Sequence, residues 1–142
     1  MADPTDDPVV TPDAINAVLD QYFTTPGPRC AETGPGYAVA SATGRALTVR
    51  PGGYVSGPTQ FALADAALYY AAMVAIGKVE TMALTSELSI RYLRPAQGEV
   101  IYARATIDTV TRRSVVGSIK VWMDDADDRP TAIAQGTYAL PR

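Results

Sequence analysis

The sequence predicts an α+β domain in which one curved antiparallel sheet wraps around one long central helix. Two observations carry that expectation. The stretch "SGPTQFALADAALYYAAMVAIG", residues 56–77, holds one formal charge, Asp65, and its apolar residues circle the helical axis. A helix of that kind in a globular chain must be enclosed by the rest of its fold. Four segments of strand character follow it, and their short connections make them antiparallel neighbours. At 142 residues, 47% hydrophobic and 19% charged, the chain is long enough for one domain with a sizeable core.

Residues 1–10, rich in Pro and Asp, read as a mobile acidic start, and residues 11–142 as a single domain. "TPDAINAVLDQYF" (11–23) reads as a helix: Thr11 caps it, Pro12 suits the first turn, and Ile15, Val18, Leu19 and Phe23 share a face. "TTPGPRCAETGPG" (24–36), with three prolines and three glycines, is expected to be a loop. "YAVASATGRALTVR" (37–50) reads as a strand interrupted at Gly44, and "PGGYVSGP" breaks it. The central helix starts near Gly57-Pro58 and stops near Gly77, a length of roughly 28 Å. "TMALTSELSIRYLR" (81–94) is expected to set Met82, Leu84, Leu88, Ile90 and Tyr92 on one face and Thr85, Glu87 and Arg91 on the other. "EVIYARATIDTV" (99–110), "SVVGSIKVWM" (114–123) and "TAIAQGTYAL" (131–140) complete the sheet. A sheet with a helix on one side leaves an edge and a face unprotected, so a homodimer is expected.

Composition excludes several function classes. Histidine is absent. That removes Ser-His-Asp and Cys-His catalysis and most zinc sites, and leaves acid–base work to Asp, Glu, Tyr, Lys or Cys. The single cysteine, Cys30, rules out an intrachain disulfide, fits a reducing cytoplasm, and reads as incidental to function. The N-terminus has no Lys or Arg before Arg29 and no apolar core, so no signal peptide is expected. No uncharged apolar run reaches the ~20 residues of a membrane span. Charge is uneven: residues 1–36 carry six acids against Arg29, whereas residues 37–123 carry nine basic residues against five acids. That central excess suits a small anionic ligand. No long basic run or aromatic-interleaved basic patch points to nucleic acid. "DDADD" (124–128) lacks the glycine and terminal glutamate of a calcium loop and reads as a hairpin tip, so no metal is expected.

Three features remain as candidates for chemistry. Asp65 has Phe61, Ala62, Leu68 and Tyr69 as its helical neighbours, so no adjacent turn offers a counter-charge. An uncompensated carboxylate among apolar residues is costly, and stability gives no reason to keep it. "SGP" at the helix start offers amides at the positive end of a dipole, and Gly57 lets a ligand approach its backbone closely. "IRYLRPA" and "TRRSVVGSIKV" place Arg91, Arg94, Arg112 and Arg113, with Ser114 beside them, at strand ends where a nucleotide-type phosphate finds bidentate partners. Arginines at strand ends that keep a sheet from aggregating explain the same pattern equally well.

"SGPTQFALADAALYYAA", "LTSELSIRYLRPAQGEVIYARATI" and "AIAQGTYALP" together resemble the hotdog-fold acyl-CoA thioesterases of the phenylacetate-pathway type, over about residues 37–141. Members of that family typically read His-Gly-Gly at the helix start, with an acid eight residues after the first glycine. Those positions are Ser56, Gly57, Pro58 and Asp65 here, and the asparagine usual shortly before the helix falls at Arg50. The resemblance implies that Asp65 is nucleophile or general base toward a thioester, that the Gly57 amide polarises its carbonyl, and that Thr85 helps to place the water. It also implies a site at the interface of a homodimer, often within a dimer of dimers. Coenzyme A phosphates would lie on the basic strand ends and near Arg50, and neither a cofactor nor a metal is needed. Tyr69 and Tyr70, with the alanines of the helix, are compatible with an aromatic or medium aliphatic acyl group. Two other readings stay open: a non-catalytic acyl-CoA-binding or regulatory hotdog, favoured by Ser56 and Pro58, and a dehydratase, which generally relies on His.

Overall fold

The computed structural model describes residues 10–23 and 26–141. Val10, expected within a mobile start, is 2% exposed, and its carbonyl accepts from Thr33 Oγ1 at 3.0 Å. Residues 1–9 lie outside the described residues. Helix α1 (Pro12–Tyr22) is capped by Thr11 Oγ1, which accepts from Ala14 N at 3.2 Å, and it buries Ile15 and Leu19.

The loop expected over 24–36 is corrected. Arg29–Gly34 forms β1, which pairs antiparallel with β2 (Tyr37–Thr43) across a Pro35-Gly36 turn. Gly36 takes φ +74°, the left-handed position that a Pro-Gly pair supplies in a tight turn. Asn16 fastens α1 to this strand, accepting from Cys30 N and donating to Cys30 O, both at 2.9 Å. The strand expected over 37–50 ends at Thr43; a short 3-10 turn (Gly44–Ala46) follows. The expected break at "PGGYVSGP" contains half of a small ribbon, β3 (Val49–Arg50) with β4 (Tyr54–Val55).

Helix α2 (Gly57–Ile76) ends at Gly77, which is left-handed (φ 76°) and returns its amide to Met73 O at 2.9 Å. Then come β5 (Leu84–Tyr92), β6 (Val100–Val110), β7 (Ser114–Met123) and β8 (Ala132–Ala139). The main sheet is antiparallel in the order β1-β2-β6-β7-β8-β5. Its inner face cradles α2, and Leu68 packs closely on it. A Cβ on Gly117 would lie 2.7 Å from Leu68 Cδ1, and one on Gly136 would lie 3.0 Å from Leu68 Cδ2. Those two glycines let helix and sheet close on each other.

Two further expectations are corrected. The helix is not enclosed all round: Leu63, Ala64, Ala67, Leu68, Ala71 and Ala72 are buried, but Phe61 and Ala62 are exposed or nearly so, and Asp65, Ala66 and Tyr69 are half-buried. One sheet curves over one side of a helix and, among the described residues, has no strand left for the other. By length and mean hydropathy (1.3) α2 matches a membrane-crossing helix, yet half of that window is buried inside this fold. On β5 the expected faces also fail, because the register shifts between Thr85 and Glu87. That bulge turns Thr85, paired with the buried Tyr138, to the inner face together with Leu88 and Ile90, and it leaves Leu84 69% exposed.

Candidate functional site

Asp65 projects from the uncovered stripe of α2 into a cavity of about 870 Å³ between that helix, the end of α1, β1 and the end of β2. Its walls beside the carboxylate are small or aromatic: Ala42, Ala62, Ala66, Tyr69 and Tyr138. At the rim Arg29 pairs with Asp20 at 2.5 Å, and that hydrogen bond holds the Asp20 carboxyl below its ordinary value. Among the described residues no cation pairs with Asp65. Its Oδ1 instead accepts from Thr85 Oγ1 at 2.6 Å and from Tyr138 OH at 2.8 Å. Among the described residues no donor reaches Oδ2.

Tyr138 escaped the sequence reading. It is 4% exposed, its ring stacks on Tyr69 with centroids 5.6 Å apart, and its hydroxyl also lies 3.2 Å from the Asp65 carbonyl oxygen. Burial pushes its phenol well above the ordinary value, so it is a donor at any physiological pH. Strand alternation does set Tyr138 on the inner face, but only the β5–β8 register sets it beside Thr85.

The cavity continues along α2. A second hollow, about 650 Å³, shares Pro28, Ala42, Ala46 and Ala62 with it and reaches Ser56, Thr59 and Arg50. At this end the helix amides are partly engaged. Ser56 Oγ accepts from Thr59 N at 3.2 Å and lies 2.8 Å from Thr59 Oγ1; Gln60 N donates to the Ser56 carbonyl; Pro58 has no N–H. Among the described residues the Gly57 N–H meets no acceptor, and it is the one amide of the first turn left to donate. Tyr92 packs across Gly57 and donates to its carbonyl at 2.8 Å. Arg50, Arg94, Tyr54 and Tyr92 border a further hollow of about 580 Å³ beside it, where Arg94 also donates to Pro130 O at 2.8 Å.

Of the arginines singled out in the sequence, the structure brings Arg50 and Arg94 together and separates the others. Arg91 lies on the outer face of β5, opposite Ile133. Arg112 and Arg113 sit on the β6–β7 turn at the far end of the sheet, where Ser114 closes the turn by donating its amide to Thr111 Oγ1 at 3.1 Å. Tyr69 does line the Asp65 cavity, with its hydroxyl donating to Thr81 O at 3.0 Å. Cys30 is buried, which pushes its thiol up to about 11. Among the described residues no group of three His, Cys, Asp or Glu is gathered as a metal ion would need.

The family model of the thioesterase superfamily matches residues 52–128, a stretch that contains Gly57, Asp65 and Thr85 but not Tyr138. Among solved structures the chain is similar to a candidate thioesterase of Silicibacter sp. TM1040, at 27% identity and a TM-score of 0.82, over 96% of this chain and 95% of that one. It is similar in fold to the phenylacetic acid degradation protein PaaI of Thermus thermophilus (22% identity, TM-score 0.66, 88% of this chain and 99% of that one). The same holds for the PaaI protein from the phenylacetic acid degradation operon of E. coli (20%, 0.71, 94% and 96%). No curated protein matches the chain.

Proposed function

The chain belongs to the thioesterase superfamily, and from that premise we propose that it hydrolyses an acyl-coenzyme A thioester to the free acid and coenzyme A. The observation that supports this most is the Asp65 carboxylate, which lines a largely apolar cavity and is held by two donors on one oxygen, with no described donor on the other. Water adds to the thioester carbonyl carbon while Asp65 takes its proton, or Asp65 itself attacks as nucleophile and water then releases the acid. The carbon–sulfur bond breaks, and the departing sulfur takes up a proton to become the coenzyme A thiol. The Gly57 N–H stabilises charge on the carbonyl oxygen. The alanine-walled cavity accepts an aromatic or medium aliphatic acyl group beside Tyr69, and Arg50 and Arg94 take the coenzyme A phosphates.

One helix cannot supply both groups to one carbonyl. Gly57 and Asp65 are eight residues apart, about 12 Å along the axis. A second copy resolves this. Gly57 packs on Tyr92 and Asp65 on Thr85, at opposite ends of β5. That strand is a sheet edge with Leu84 exposed on it and Met82 and Leu93 exposed at its two ends. Pairing β5 antiparallel with its copy about a two-fold axis sets each Tyr92 end beside the partner's Thr85 end. The partner's glycine amide then approaches Asp65, and the uncovered stripe of α2 is closed over. A homodimer is thus part of the proposal.

Thiol release measured across short, long and aryl acyl-CoAs tests the reading. Asp65→Asn keeps shape and folding but removes the base, and is expected to lower turnover by roughly 10²–10⁴-fold. Unchanged turnover in that variant ends the assignment. The engaged amides of the first turn favour a second reading, a non-catalytic acyl-CoA-binding protein; calorimetric coenzyme A binding without thiol release from any acyl-CoA would establish it.

A further inference from the structure

We infer that Tyr138 is a positioning residue for this reaction: with Thr85 it locks the Asp65 carboxylate in one orientation and reserves Oδ2 as the atom that meets the water or the thioester. The inference rests on the proposed hydrolysis. A carboxylate on an exposed helix stripe turns freely about its last bond, and each orientation it samples away from the substrate is unproductive. Here the rotation is stopped from the sheet side. Thr85 and Tyr138 are cross-strand partners on β5 and β8, and both donate to the same oxygen, at 2.6 and 2.8 Å. Charge-assisted hydrogen bonds from hydroxyls are strong, and two of them on one oxygen fix the plane of the group.

Each donor is itself held. Thr85 faces inward only because of the bulge between Thr85 and Glu87. Tyr138 is buried and stacked on Tyr69, and Tyr69 is anchored through its own hydroxyl to Thr81 O. The stack fixes the ring, the ring fixes the hydroxyl, and the hydroxyl fixes the carboxylate. No described residue donates to Oδ2, and Asp65 lines the cavity. The arrangement makes the two oxygens unequal: Oδ1 is structural and Oδ2 reactive. Tyr138 touches no reacting atom in this scheme and acts only through Asp65.

The test is Tyr138→Phe, which keeps the stacked ring and deletes one oxygen. We expect kcat to fall roughly tenfold with KM within about twofold, since the lost interaction orients the base and does not bind substrate. Thr85→Val should act in the same direction. In an Asp65→Asn background Tyr138→Phe should cost nothing further, whereas a residue that merely supports the fold would cost the same in both backgrounds. An undiminished kcat in Tyr138→Phe, or an equal loss in the two backgrounds, overturns the inference while leaving thioester hydrolysis intact. A further readout needs no turnover. A crystal structure of the Thr85→Val/Tyr138→Phe double variant should show the Asp65 carboxylate in more than one orientation, and a single unaltered orientation overturns the inference even if the wild-type protein proves inert toward every acyl-CoA.

Discussion

Helix α2 carries two polar stations, and they are built in opposite ways. At Asp65 a negative group is held by neutral hydroxyls from β5 and β8, with no cation paired to it among the described residues. At the helix start the polarity is reversed: the Gly57 N–H lies at the positive end of the helix dipole, and the hollow beside it is bordered by Arg50 and Arg94 and by no carboxylate among the described residues. An arginine paired to Asp65 would hold the carboxylate but occupy the lone pairs a base needs. A carboxylate near Gly57 would compete with a carbonyl oxygen for its donor. The separation keeps each group available, and with ~12 Å between them the proposed homodimer is what would bring the stations together.

That comparison breaks most sharply in a mixing experiment. Asp65→Asn disables one station; Gly57→Pro disables the other by deleting its N–H at a first helical position, where proline's φ suits but the Tyr92 ring, 3.2 Å from the added Cβ, must shift by a few tenths of an ångström. Each variant alone is expected to lose more than roughly 100-fold in turnover. In a heterodimer of the two, one site carries both defects and the other carries neither. Equal amounts, unfolded and refolded together, should regain about a quarter of wild-type activity, since half the dimers are mixed and each has one sound site. A mixture that stays inactive would show that the stations are not shared between copies.

The fold and the site were legible in the sequence to different depths. Central helix, four following strands and Asp65 as the odd residue all rest on local pattern, and α2 begins and ends where Gly57-Pro58 and Gly77 say it should. Strand β1 went unread because proline and glycine density outweighed a six-residue run with two charges, although the Pro35-Gly36 turn was its signal. The inward turn of Thr85 was invisible because a bulge inserts one residue and reverses every later parity, and nothing in "LTSELS" announces it. Tyr138 was missed for a related reason: Asp65 lies 73 residues away, and only the register of β5 against β8, which sets Tyr138 beside Thr85, brings both hydroxyls to that carboxylate. The arginines failed differently. Strand ends look alike in sequence, yet antiparallel order sends Arg94 to one end of the sheet and Arg113 to the other.

The next effect down concerns the cationic end. Arg50→Gln and Arg94→Gln are each expected to raise KM roughly tenfold with little change in kcat, because in the proposed reaction they hold a remote phosphate and not the reacting carbon. The wild-type KM should also rise with ionic strength, and less steeply in the variants. Arg112→Gln, at the far end of the same sheet, sharpens the comparison. A copy paired through β5 carries its own β6–β7 turn toward this site, so a KM effect from Arg112 would place the phosphates at the dimer seam, and none would confine them to the Arg50–Arg94 hollow.

The smallest effect belongs to Ser56, whose hydroxyl caps α2 by accepting from Thr59 N. Ser56→Ala removes the cap and is expected to cost about 1 kcal/mol of stability, read as a lowered denaturation midpoint. Ser56→Asp separates capping from catalysis. Aspartate caps as well as serine does, so stability should return to the wild-type level or better. Its charge, however, would sit one residue from the Gly57 amide, where the proposed reaction develops negative charge on the carbonyl oxygen, and kcat should fall while the fold is restored. If Ser56→Asp recovers stability and activity together, the free amide at this station is not facing the reaction, and the contrast between the two ends of α2 is one of charge alone.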